Sequence, residues 1–410
     1  MIKHKLYVSL FTLVAAFISC SKIDNALDTP DMEYLSVDIT TTSLVDGIAD
    51  PEGLKVVFEN FTEGVRIERP LTHGVTRIDS IIPGTYSINV SGIQEVDGKN
   101  YLLNGSKINQ LLIDHGQQID IAVSGATVGP LAFSEVFYAG TSPFYFRNQF
   151  YEITNNSDET VYLDGLYFAN LTPGTATTTL PIWPESDDGK YVYAERIWRI
   201  PGSGSDYPLE PGASFSIAQF AANHQLPQYS PDSPIDCSSS EFEFNMDNAN
   251  FPDQPATDME HVFYNGFASK GTLPQYLTAV FGGAYVIFTV PEGEAYDPAN
   301  DPTLKTRNLG TTSPSLYAKI PIEYVVDAVE AGHNENMIAA KRVASVLDAG
   351  MTYVGATYNS KGVRRKKIGE RPDGSPILQD TNNSSEDFER LVTPTFRHFG
   401  QHIPTWSSAN

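Results

Sequence analysis

From Leu35 to about Gly125 the chain alternates apolar and polar residues. Leu35, Val37 and Ile39 alternate with Ser36, Asp38 and Thr40. Leu54, Val56 and Phe58 follow the same rule, as do Tyr86, Ile88 and Val90 after the Pro83-Gly84 turn. Ile119, Ile121 and Val123 close the series. A period of two, broken by turn residues, predicts half-buried strands and an antiparallel β-sandwich over residues 34–126. A second β pattern begins after a boundary near Thr127–Pro130. It predicts strands at 131–138, 149–154 and 161–166, with an Asn155-Asn156-Ser157-Asp158 turn between the last two. The chain therefore reads as mainly β, with two β-sandwich domains, at 34–126 and 127–393.

The second domain departs from simple alternation in three places. Residues 223–315 are rich in Asn, Asp, Pro and Ser with apolar strands embedded, and read as a long irregular insertion. Residues 322–329 and 337–347 space their apolar positions as a helix does, with Asn334 or Asn336 as a cap and Gly350 as a stop. They predict one or two short helices. A hairpin is expected over 357–367, and residues 394–410 read as a tail.

The N-terminus is different in kind. Lys3, His4 and Lys5 precede an apolar run from Leu6 to Phe17, which ends at Ile18-Ser19-Cys20. That run is shorter than the roughly 20 residues a bilayer span needs. It fits a secretory leader over residues 1–19. The small residue directly before Cys20 resembles the lipobox of bacterial lipoproteins, with Phe17 where leucine is more usual. The resemblance implies acylation of Cys20, which becomes the new N-terminus. Several acyl chains, each contributing about 0.8 kcal/mol per buried CH₂, make a stable anchor. Residues 20–33 then form a polar tether. The expected location is the outer membrane, with the face left open.

Charge narrows the partners. The 27 Lys+Arg against 50 Asp+Glu give a formal charge of −23, which argues against nucleic acid and anionic lipid surfaces. With Cys20 carrying lipid, Cys237 has no partner, since the chain has 2 cysteines. The fold is then not stapled by disulfides, and Cys237 reads as a small buried hydrophobe.

Catalytic constellations are not evident in the sequence. It has no G-x-S-x-G elbow, Walker loop, H-E-x-x-H or C-x-x-C. No catalytic, cofactor or metal residues are assigned. Three weaker patterns bear on binding. His398 and His402 are four apart, but Gly400 and Pro404 oppose a helix there. Asp380 to Glu389 alternates oxygen-bearing residues as a calcium loop does, yet lacks the mid-loop glycine and has Leu391 at position twelve. An Asn/Ser capping turn is the favoured reading of that segment. Arg364-Arg365-Lys366-Lys367 puts only two cations on each strand face, and pairing with acids on neighbouring strands is expected. Trp183 and Trp198 flank Tyr191 and Tyr193, a candidate sugar platform.

Two stretches carry further resemblances. The turn and strand Ile82-Pro83-Gly84-Thr85-Tyr86-Ser87-Ile88 is similar to prealbumin-like and immunoglobulin-like modules. The series Ser134-Glu135-Val136, then Gln149 to Leu166, then Leu209 to Ala218, resembles lamin-tail-like domains, also an immunoglobulin-like sandwich. The whole chain resembles a family of Bacteroidota lipoproteins of unknown function with this arrangement, and residues 360–389 carry its most recognisable late piece. The resemblance implies a companion of TonB-dependent outer-membrane receptors. The expected function is a non-enzymatic envelope lipoprotein that binds a nutrient, such as an iron or haem source or a glycan, or docks on such a transporter. The alternatives are a secreted hydrolase and a structural or adhesive envelope protein.

Overall fold

The computed structural model describes residues 33–408, apart from 46–47, 49–51, 97–98, 127, 176–178 and 188. Cys20, the leader and most of the tether lie outside the described residues. The fold is mainly β.

The first domain is a seven-stranded sheet system whose ends are Val65–Pro70 and Val75–Ile81. Leu35–Ser43 pairs antiparallel with Val75–Ile81 and parallel with Gln117–Ala126. The alternation set this up. Val37, Ile39, Val56, Phe58, Tyr86, Ile88, Val90, Ile121 and Val123 are all at most 1% exposed and meet in one core. Period-two alternation works here because one face of each strand meets that core; on the central strand Gly84–Val96 the polar face is buried as well, at Ser87, Asn89 and Ser91.

The second domain has a seven-stranded and an eight-stranded sheet. The first holds Leu131–Phe137, Phe150–Asn155, Ser214–Ala218 and Gly362–Arg365; the second holds Tyr167–Leu171, Tyr191–Arg199, Ala284–Phe288 and Val325–Gly332. Side chains from both sheets share a core around Tyr151, Phe168, Phe215, Phe244 and Tyr285. The central strands are buried along their whole length. Their outer faces have cores of their own. Tyr167, Ala169, Val286 and Phe288 pack outside one sheet, and Phe137, Phe150, Ala218 and Cys237 outside the other. The segment read as an insertion supplies part of these layers, through Ile235, Cys237 and Tyr296. It also contributes the central strand Ala284–Phe288.

Three local expectations need correction. Residues 325–329 are not helical: Ile322–Tyr324 is one 3-10 turn, and Val325–Gly332 is a strand paired with Ala284–Phe288. Val325, Val326 and Val329 are β-branched, and pairing with a ready central strand decides between two periodicities that both fit so short a run. Asn334 does cap a short helix, accepting from the Asn336 N–H, but it is a 3-10 helix over Glu335–Ala340 that stops well before Gly350. The hairpin lies later than expected, between Lys367–Glu370 and Pro376–Leu378. Gly362–Arg365 pairs instead with Leu131–Phe137 and Phe388–Val392. Residues 394–408 lie against the domain: Phe396 packs on Phe150, and Trp406 packs on Tyr207 and donates to the Pro208 carbonyl.

Candidate functional site

The loop between Leu131–Phe137 and Phe150–Asn155 carries Phe144-Tyr145-Phe146-Arg147 at one end of the second domain. Thr141 and Tyr145 exchange two backbone hydrogen bonds, at 2.6 and 2.8 Å, and close a tight turn. Phe144 sits inside that turn at φ +58° and is 78% exposed. A bulky side chain in the left-handed region is strained, and its ring is not hidden by packing. Tyr358 meets Phe144 edge-on at 5.3 Å.

Beneath the loop lies His224, fully buried. Its Nε2 contacts the Phe220 carbonyl at 2.9 Å, and its Nδ1 contacts Tyr145 Oη at 2.6 Å. A carbonyl only accepts, so Nε2 carries the proton and Tyr145 donates to Nδ1. Burial pulls the His224 pKa down to about 4, and the imidazole is neutral at physiological pH. Burial also raises the Tyr145 phenol. Asn148 donates to Thr141 Oγ1 and Ser233 Oγ, tying the loop to residues 230–237. Cys237 is fully buried beside it, and burial pushes its thiol well above the ordinary range. It packs with Phe137, Phe150 and Ile235, as a small buried hydrophobe does.

Phe144, Tyr145, Arg147, Tyr229, Phe251 and Leu273 line an open cleft of about 510 Å³. Arg147 lies over the Phe251 ring at 4.5 Å. Its lining mixes aromatic and apolar side chains with the polar groups of Arg147, Gln228 and Gln275. Sequence reasoning missed it. The available signal was three consecutive aromatics after Pro143, in a loop where no strand needs them.

The sugar platform comes together in part. Trp183 stacks on Tyr193 at 3.9 Å and 13°, and Tyr191 lines the same hollow of about 640 Å³. Trp198 is not there; it is fully buried between the sheets against Phe244 and Tyr276. Tyr193 covers one face of Trp183, leaving less of that ring for a ligand.

Of the basic run, the two arginines are paired with acids from other segments, whereas Lys366 donates to the Glu386 carbonyl and Lys367 pairs with Glu370 on its own strand. Arg364 meets Glu135 on the neighbouring strand at 2.6 Å. Arg365, 1% exposed, meets Asp327 at 2.8 Å, Asp380 at 3.0 Å and Asp387 at 3.4 Å. Desolvation pushes Glu135 and Asp327 up to about 8 against the pull of these arginines. The same carboxylates hold the Arg365 guanidinium firmly protonated. Segment 380–389 is thus the capping turn. Asn383 caps the short helix Ser384–Asp387, and Asp387 accepts from the N–H groups of Thr381 and Asn383. His398 packs on Phe399, and His402 faces Asp373 at 3.8 Å. Among the described residues, neither histidine joins a group spaced to hold a metal.

Comparison with known proteins gives a family and one close structure. The model of the family described as "Protein of unknown function (DUF4876)" matches residues 210–395. A crystal structure of a DUF4876 family protein from Bacteroides thetaiotaomicron is similar at 52% identity. The alignment covers 91% of this chain and 99% of that one, with a TM-score of 0.67. No curated protein matches.

Proposed function

The chain belongs to the DUF4876 family of unknown function, and on that premise we propose that it is a non-enzymatic outer-membrane lipoprotein, held by lipid on Cys20, that captures a nutrient for a TonB-dependent transporter. The aromatic cleft around Phe144 carries this reading. It is open, of small-molecule size, and presents to solvent the ring of Phe144, whose backbone is held at positive φ. Flat apolar ligand faces suit it, those of a porphyrin or a sugar ring, with Arg147 and Gln228 as polar contacts. The first domain serves as the spacer nearest the membrane, and the second, a lamin-tail-like module, presents the cleft.

The Trp183–Tyr193 stack supports a second reading, in which that hollow takes a glycan. Titration of the full chain with haemin and with oligosaccharides separates the two. Haemin or sugar binding that weakens at least tenfold in Phe144→Ala and is kept in Trp183→Ala supports the cleft. The reverse supports the hollow. Deleting the gene is expected to slow growth on one limiting nutrient. Unchanged growth across iron-, cobalamin- and glycan-limited media, with no binding in either titration, contradicts nutrient capture. Palmitate labelling that persists in Cys20→Ala contradicts the anchor.

A further inference from the structure

The strand Tyr191–Arg199 changes neighbours part-way along. On one side, Asn170 pairs with Arg196 and Leu171 with Ala194, so Glu195 is an extra residue in the ladder, a β-bulge. On the other side, Ala194 pairs with Ala318 of the strand Tyr317–Pro321, while Arg196 pairs with Tyr264 of the strand Glu260–Tyr264. One neighbour starts at Tyr317 and the other ends at Tyr264. Glu195 therefore stands at a fork, without a ladder partner on either side. Bulges re-aim side chains and are over-represented beside functional sites.

The fork opens a notch of about 220 Å³, lined by Glu195, Gly174, Tyr264, Asn265, Ser315 and Tyr317. The Glu195 carboxylate lies against Gly174, whose N–H donates to it. A Cβ at Gly174 would come within 2.3 Å of Oε2, so a larger residue there displaces the carboxylate. Among the described residues no lysine or arginine forms an ion pair with Glu195, and the nearby cations have other partners. Arg196 turns to the Lys270 carbonyl at 2.9 Å and lies over the Tyr264 ring at 3.9 Å. Arg342 pairs with Glu330 at 2.7 Å and donates to the Pro173 carbonyl. Lys305 donates to the Ala299 and Gly266 carbonyls. Burial raises the Glu195 pKa, against the pull of Arg196 and of the Gly174 N–H. A half-buried carboxylate served by one backbone donor is a place for a cation.

Tyr191, Tyr193 and Glu195 alternate with Val192 and Ala194, which face a core. All three thus leave the strand on the other side. Tyr191 and the Trp183–Tyr193 stack belong to the hollow of about 640 Å³. Trp183 also meets the ring of Tyr317 edge-on at 5.6 Å, and Tyr317 lines the notch. An aromatic platform and a carboxylate without a paired cation are therefore neighbours on one strand.

We infer that the hollow and the notch form one site for a cationic amino sugar, with a sugar ring at the Trp183–Tyr193 stack and an ammonium group of the same glycan at Glu195. This rests on the reading of the hollow as a glycan site. A metal ion needs more oxygen ligands than one carboxylate supplies. An ammonium group is served by one carboxylate with aromatic rings beside it. A neutral glycan leaves Glu195 uncompensated. The formal charge of −23 adds a long-range attraction for a cationic glycan and opposes an acidic one.

The test is calorimetric titration of the full chain, in detergent, with a chitosan tetramer and with its fully N-acetylated counterpart, at about pH 6, where free amines are charged. The amino tetramer is expected to bind at least tenfold more tightly. Glu195→Gln, which keeps an acceptor for the Gly174 N–H, is expected to abolish that preference. Asp120→Asn, at an exposed position of the first domain, keeps it, which separates the notch from general attraction to an acidic protein. Trp183→Ala weakens both tetramers. The two are compared within each variant, so partial unfolding lowers both affinities and leaves their ratio. Equal or tighter binding of the N-acetylated tetramer overturns the amino-sugar assignment and leaves the hollow a glycan site. A preference that survives in Glu195→Gln also overturns it. Binding of neither tetramer overturns the assignment, and the oligosaccharide titration above then decides the glycan reading by itself.

Discussion

Segments 243–258 and 380–389 are both rich in acid and amide side chains, and they end in opposite states. Asp380 and Asp387 converge on Arg365, with Asp327 as a third carboxylate from a distant strand. Glu243, Asp253 and Asp258 converge on one another. In the first, a guanidinium already fills the centre of an oxygen cage. In the second, no lysine or arginine among the described residues forms an ion pair with the three carboxylates. Acid spacing along a chain therefore says little about metal binding until the basic residues of neighbouring strands are placed.

Removing the central cation breaks the comparison most forcefully. Arg365→Met strands three buried carboxylates, and is expected to cost about 3–5 kcal/mol in urea unfolding. A loss under 1 kcal/mol would mean that the carboxylates have another partner. Adding Asp327→Leu to that variant recovers part of the loss, because a buried pair replaced by apolar groups is far less costly than half a pair.

The unpaired cluster has the opposite sign. Burial, then the charges of Asp258 and Asp253, raise Glu243 to about 7. The folded state thus holds that proton more tightly than the unfolded state. The protein loses stability as pH rises from about 4.5 through about 7. Asp253→Asn removes one repelling charge, and is expected to stabilise the protein by about 1 kcal/mol at pH 8 and by nothing measurable at pH 5. A destabilisation at pH 8 would show that the cluster is not repulsive. Arg365→Met offers no such gain at either pH.

The smallest effect concerns the cleft that borders the cluster. Phe144 holds a left-handed backbone with little packing in return. Phe144→Gly is expected to raise stability by up to about 1 kcal/mol while weakening cleft ligands. Loss of stability would mean that the ring is a packing element rather than a binding surface.

Much of this was legible in the sequence where burial is one-sided. The alternation of Val37, Ile39, Val56 and Phe58 named the first core directly. Arg364 and Arg365 were readable because two adjacent arginines on a strand must find acids on both faces. Val325 to Val329 was misread because short β-branched runs fit both periods, and the partner Ala284–Phe288 lies some 40 residues earlier in the chain. The carboxylate cluster was hidden for a related reason. Its carboxylates follow no loop spacing, and the pairing of Phe242–Glu243 with Thr257–Asp258 that gathers two of them joins two-residue strands too short to read from periodicity. Segment 380–389 had the better spacing and the worse environment.

An anomalous-scattering crystal structure of the full chain grown with terbium, a calcium substitute, tests the contrast most directly. The account predicts no peak within bonding distance of Asp380 or Asp387, where the Arg365 guanidinium already fills the carboxylate cage. A peak at Asp380 and Asp387 with Arg365 displaced would contradict it.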